Sequence, residues 1–251
     1  STSAKYFLEN AENANKKYGG ELTLVDGLAQ SKNTISAYLM KRVGPRKVIK
    51  LARKMGITSY LPAVPSLCLG TAEISLFEMT GAYSTFANSG IYMEPYFVSR
   101  IEDKNGVVIE TFTNSPKEIL SEDKNIVMVK LLQGVINRGS GSRLRWKYKM
   151  NNEIAGKTGT TQNHSDGWFI GFVPDLVTGV WTGADNRAVR FRDLKLGQGA
   201  QMALPIWGEY MNSLYSDSLI ELNKARFEIP KNSNNITLDC SDKTQIENEE
   251  F

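Results

Sequence analysis

The chain has 251 residues, 41% apolar and 23% charged, with a formal net charge of +3. That suits one large globular domain or two small ones, and the charge is too small to argue for a nucleic-acid partner. Two distant cysteines, Cys68 and Cys240, and a single histidine give neither a disulfide framework nor metal-ligand spacing, and no cofactor is expected.

No apolar run reaches the roughly 18 residues that a membrane span requires. The opening "STSAKYFLENAENANKKYGG" is polar, lacks the apolar core of a signal peptide and does not begin with Met. It reads as an irregular lead-in over residues 1–20 of a piece of a longer protein. In "LTLVDGLAQSKNTISAYLMKRVG" Leu24, Leu28, Ile35, Leu39 and Val43 recur at helical spacing. Gly44-Pro45 ends that element and Pro45 opens the next, "PRKVIKLARKMG", with Val48, Leu51, Ala52 and Met55 inward and Gly56 just past its end. Residues 57–73 carry two prolines and read as a loop; "ISLFEMTGAYSTFANSG" is a helix ending near Gly90.

"YFVSRIEDKNGVVIETF" predicts a hairpin, with Asn105-Gly106 supplying the left-handed turn. Ser121 is placed to cap a helix whose inner face is Ile126, Val127, Leu131 and Val135. Residues 140–152 form a basic loop. Strand-like runs follow at 153–161, 167–173 and 176–184, the last two joined tightly at Pro174-Asp175, which makes them antiparallel neighbours. "QMALPIWGEYMNSLY" is a closing helix; Trp181 and Trp207 belong to the core, and residues 231–251 are a polar, mobile tail. The fold class is α/β of the α+β type, an antiparallel sheet flanked by helices, with the domain body at 21–230.

Two short motifs carry chemistry. Ser31-Lys32-Asn33 sets polar residues inside an apolar helical pattern, where they weaken a helix and fit a kink between two helices. Lys157-Thr158-Gly159, followed by Thr160 and Thr161, puts a cation, hydroxyls and a bare backbone position on one strand. With their flanks "YGGELTLVDGLAQSKNT", "LLQGVINRGSGSRLR" and "AGKTGTTQNHSDGWFIGFVPDLVTGVWTGAD", they make residues 13–215 resemble the transpeptidase domain of bifunctional (class A) penicillin-binding proteins.

The resemblance implies a penicillin-binding protein and serine β-lactamase-like fold and a D-Ala-D-Ala transpeptidase acting through a serine acyl-enzyme, in a protein that also polymerises glycan. It implies peptidoglycan stem peptides and, in the intact domain, β-lactams as partners, at the extracytoplasmic face of the bacterial inner membrane. That family uses Ser-x-x-Lys, Ser-x-Asn and Lys-Thr-Gly in order. The second and third are here; the first, with the nucleophile and base, is not found ahead of Ser31. Ser121-Glu122-Asp123-Lys124 fits the pattern but stands in the wrong order among charged neighbours, and Ser233-Asn234-Asn235 is a chance match in the tail.

By resemblance, Ser31 relays a proton, Asn33 serves the substrate amide, and Lys157 supplies positive charge. Thr158, Thr160 and Thr161 bind the substrate carboxylate side, Gly159 leaves room for a substrate strand, and the Thr160 N–H is half of an oxyanion hole. The isolated chain is expected to be inactive, and an apolar cleft lined by parts of 24–43 and 153–173 is expected to be exposed and to favour a homodimer. Alternatives are a non-catalytic stem-peptide-binding module, a monofunctional transpeptidase or a β-lactamase relative. His164 is read as a loop residue, Asp166 as a turn residue, and Arg143–Lys147 as solvated.

Overall fold

The structure, a computed structural model, describes residues 13, 22–161, 164–220, 222 and 226–230. The expected lead-in, Asn13 apart, and the expected tail with Ser233-Asn234-Asn235 and Cys240 lie outside the described residues.

Helix α1 (Leu24–Ala29) starts at Thr23, whose hydroxyl accepts the Asp26 N–H at 3.1 Å. It does not run on through the polar triplet. The Ser31 N–H reaches the Leu28 carbonyl at 3.0 Å and the Lys32 N–H the Gly27 carbonyl at 2.9 Å. These two bonds form a Schellman closure with Ser31 in the left-handed position, φ 53°. Helix α2 (Asn33–Val43) then begins. The break rotates one helix against the other, so a single stripe drawn from Leu24 to Val43 misplaces the inward face. Val25, Ala29, Ala37 and Met40 are buried, whereas Leu24, Leu39 and Val43 are exposed.

Helix α3 (Pro45–Lys54) carries Pro45 in its first turn and ends on Gly56 at φ 87°, with the Ile57 N–H returning to the Ala52 carbonyl. Its Leu51, expected inward, is exposed; Ile49 packs with Met55 and Ile57 instead. A short 3-10 turn (Pro65–Leu69) interrupts the following loop. Helix α4 (Leu76–Ala87) opens with a reciprocal capping box between Ser75 and Glu78.

A two-residue pairing of β1 (Ile91–Tyr92) with β4 (Lys117–Glu118) flanks the hairpin of β2 (Arg100–Glu102) and β3 (Val108–Thr111). In the hairpin the left-handed position falls on Gly106 (φ 82°), and the Asp103 carboxylate accepts the N–H groups of Asn105 and Val107. Helix α5 (Glu122–Arg138) follows Ser121, which is extended but makes no side-chain cap bond. Its fully buried apolar residues are Ile126, Val129, Leu132, Val135 and Ile136; Val127 and Leu131 are half-buried.

The segment expected as a solvated basic loop contains helix α6 (Arg143–Trp146) and buries Leu144, Tyr148 and Met150. Arg145 holds it by donating to the Met150 and Asn152 carbonyls and to Asn137 Oδ1. Strands β5 (Ala155–Thr160), β6 (Asp166–Val173) and β7 (Leu176–Gly183) make an antiparallel sheet in the order β5-β6-β7, as the short connections required.

Helices α7 (Leu194–Gly197) and α8 (Ala203–Ser216) are the last helices among the described residues. On one sheet face Ala155 and Phe172 meet Ile126, Val129 and Leu132 of α5. On the other Phe169 and Val173 meet Leu204, Trp207 and Met211 of α8, with Phe169 edge-on to Trp207 at 5.3 Å. Trp207 is buried as expected, but Trp181 on β7 is exposed.

Candidate active site

The two motifs lie far apart in sequence and meet in space. Lys157 Nζ donates to Ser31 Oγ at 2.9 Å across 126 positions of chain, and also to the Thr158 carbonyl at 2.9 Å. Each comes from an element with a reason to be there. Ser31 projects from the turn that closes α1, and α1 is seated on α5, where Gly134 leaves room for Val25. Lys157 stands on β5, which among the described residues pairs on one side alone, with β6.

Strand alternation puts Ala155, Lys157 and Gly159 on one face of β5 and Gly156, Thr158 and Thr160 on the other. Ala155 is buried against α5, so Lys157 next along that face is partly buried too. Burial disfavours its charged form and brings the ammonium down from 10.5 to about 8. A lysine in that range holds its proton at neutral pH and releases it readily, beside a hydroxyl able to take part in the exchange.

Asn33 is the first residue of α2, two positions past Ser31. Thr34 fixes that end of the helix to Asn13: its N–H and hydroxyl both donate to Asn13 Oδ1, at 3.3 and 3.2 Å. Thr158 Oγ1 lies 2.6 Å from Ser140 Oγ. Thr160 Oγ1 accepts the Gly199 N–H at 3.0 Å. Gly199 lies so close beneath the strand that a Cβ would overlap the Gly159 carbonyl oxygen.

Thr161 has left the strand. Its hydroxyl is 3.0 Å from Ser165 Oγ and accepts the Asp166 N–H at 3.1 Å, which ties the end of β5 to the start of β6. His164 (φ 59°) sits in that same turn, its N–H donating to the Thr161 carbonyl. Ser121 and Lys124 are exposed at the start of α5, away from this constellation. Sequence reasoning missed Ser140 and Gly199 as neighbours of the motif strand. The signal for Ser140 was present in "RGSGSR", whose glycines allow close backbone approach.

Comparison with protein-family models matches residues 2–186 to the penicillin binding protein transpeptidase domain. The chain belongs to that family. Among curated penicillin-binding proteins it is 37% identical over 200 residues to penicillin-binding protein 1A of Aquifex aeolicus, spanning 80% of this chain and 27% of that one. It is 33% identical over 229 residues to penicillin-binding protein 2D of Bacillus subtilis, spanning 87% of this chain and 31% of that one.

The chain thus spans less than a third of these curated penicillin-binding proteins. Among solved structures, penicillin-binding protein 1A of Haemophilus influenzae superposes with TM-score 0.77 at 24% identity, over 88% of this chain and 38% of that one, and shares the fold. PonA1 of Mycobacterium tuberculosis, solved in complex with penicillin V, gives TM-score 0.71 at 25% identity over 88% of this chain and 62% of that one. The expected penicillin-binding fold class, mixed α and β around an antiparallel sheet, is borne out. Among the described residues no helix is long and apolar enough to cross a membrane.

Proposed function

We propose that this chain carries the substrate-gripping wall of a peptidoglycan D,D-transpeptidase site, in a bifunctional protein working at the extracytoplasmic face of the inner membrane. The observation that carries the reading is the Lys157–Ser31 contact beside an edge strand open on one side. Cross-linking is acyl transfer: a serine attacks the D-Ala-D-Ala carbonyl, the terminal D-Ala leaves, and an amine of a second stem peptide takes the acyl group. Ser31 passes the proton between base and leaving amine, with Lys157 keeping that hydroxyl in a cationic setting. Asn33 hydrogen-bonds the substrate amide. Thr158 and Thr160 face the terminal carboxylate, the Thr160 N–H supplies one oxyanion donor, and Gly159 lets the peptide lie along β5 as an added strand. Thr161 contributes through the turn that ends the strand.

β-Lactams enter this reading as mimics of the D-Ala-D-Ala end. The sequence 1–251 holds no Ser-x-x-Lys ahead of Ser31. This chain alone therefore binds a D-Ala-D-Ala peptide without turning it over, and labelled penicillin leaves no covalent adduct on it. Exposed Leu24 on α1 and exposed Tyr38, Leu39 and Val43 on α2 support self-association, tested by sedimentation velocity.

The deciding experiment titrates the 251-residue chain with N-acetylated D-Ala-D-Ala peptide, followed by amide NMR, alongside labelled penicillin. Shifts centred on residues 31–33 and 157–160, lost in Lys157→Met, support the reading. A stable penicillin adduct on any serine, or peptide shifts centred elsewhere, overturns it.

A further inference from the structure

We propose that Ser140 is a positioning residue of this site: it fixes the hydroxyl of Thr158 as a donor toward an anionic ligand terminus while tying the Lys-Thr-Gly strand to the Ser-x-Asn turn. The proposal rests on the reading of the site given above. Three observations carry it.

The two hydroxyl oxygens are 2.6 Å apart, a short hydrogen bond in which each group has one proton to give. If Thr158 donated to Ser140, its oxygen would have only lone pairs left to offer a ligand, an arrangement that repels a carboxylate. With Ser140 as donor, the Thr158 proton is released toward the ligand, and accepting a bond polarises the hydroxyl further.

The second observation is that Ser140 is itself held by the other motif's helix. Its N–H donates at 3.0 Å to the carbonyl of Ala29, the last residue of α1, two positions before Ser31. The third is Gly139, which packs so tightly on Ala29 that a Cβ there would overlap the Ala29 carbonyl oxygen. One residue thus has its backbone on the helix that presents Ser31 and its side chain on the strand that presents Lys157. Neither contact follows from the family motifs, since Ser140 lies between the second and third of them in sequence.

The test compares an N-acetylated D-Ala-D-Ala peptide with its C-terminal amide, by NMR titration of the 251-residue chain and its variants. Wild type is expected to prefer the carboxylate form. Ser140→Ala should lower carboxylate affinity about fivefold, the effect of one net hydrogen bond, and leave the amide form nearly unchanged. Ser140→Thr keeps the hydroxyl and should keep the preference. Thr158→Val should lose it as well, and Ser140→Ala added to Thr158→Val should cost nothing further, because the two hydroxyls act as one unit.

Several results overturn the proposal while sparing the reading of the site. These are a Ser140→Ala chain with unchanged preference, equal losses for both peptides, equal losses in Ser140→Ala and Ser140→Thr, and full additivity with Thr158→Val. A wild-type chain that does not prefer the carboxylate form overturns the carboxylate reading itself, and the role of Ser140 with it.

Discussion

Protonation of Lys157 is measurable through folding stability. Burial lowers its pKa from 10.5 to about 8. Between those two values the unfolded chain binds the proton that the folded chain has released, so stability rises with pH through that window. Below about pH 8 the folded state carries the full desolvation penalty; above the ordinary lysine value the penalty is gone. At face value the drop corresponds to about 3 kcal/mol. Solvent reaching the ammonium beside exposed Ser31 reduces this to about 1–2 kcal/mol. Lys157→Met removes the titrating group and retains an unbranched apolar stem.

Urea unfolding of both chains from about pH 7 to about pH 10 should show the stability difference moving toward wild type by about 1–2 kcal/mol. All other titrating groups are common to both chains, so the difference isolates this lysine. Parallel profiles, or a difference drifting away from wild type as pH rises, would mean that the ammonium is solvated as in water and that the desolvation argument is wrong.

Ser31→Gly relieves a left-handed conformation in a residue with a Cβ (φ 53°) and should raise stability by about 1 kcal/mol, read as a higher Tm, while abolishing the bond from Lys157 and weakening peptide binding. Gly199→Ala drives a Cβ into the Gly159 and Trp168 backbone and should destabilise by about 3 kcal/mol, measured by urea unfolding. Partial burial opposes ionisation of Glu78, but hydrogen bonds from Ser59 and then Thr58 outweigh it and hold its carboxyl well below the usual carboxylate range. The stability this contributes is full above about pH 4.5 and is lost as pH falls below it, and Glu78→Gln should flatten that acid limb in a pH-dependent melt. Trp207→Ala empties the centre of the larger core and should cost about 3–5 kcal/mol, seen as loss of a cooperative melt.

Elements governed by local chemistry were legible in the sequence. Gly56 stops α3 because only a residue at ease with positive φ closes that Schellman turn, and Pro174-Asp175 forces β6 and β7 together. Helix faces failed where a backbone event changed the phase: the Ser31 turn separates two stripes that look continuous on paper. The 140–152 segment misled because its apolar residues Leu144, Tyr148 and Met150 alternate with cations, a pattern that resembles a solvated loop until Arg145 is seen satisfying carbonyls. Trp181 lies on the last strand of the sheet, where aromatic size does not entail burial. Of the site, residue types and order were legible through the motifs, but the Lys157–Ser31 contact has no local signature, and Ser140 carries no charge to betray it.

These failures share a cause with the way the site is built. A strand proposed to accept a peptide on its open edge cannot be stiffened by another strand there. Its position has to come from its faces and ends. On the α5 side Ala155 anchors it in the core; on the opposite face Ser140 holds Thr158 and the Gly199 N–H holds Thr160; and beyond its end Thr161 locks the turn into β6. Two of these supports need a glycine, Gly139 or Gly199, at van der Waals contact with backbone, an arrangement invisible to hydrophobic periodicity. The supports are also separable. Removing the Gly199 contact strains β5 and β6 together, so it should cost stability and peptide binding alike. Removing the Ser140 hydroxyl leaves the backbone bond to Ala29 in place and should change what the strand recognises more than whether it folds.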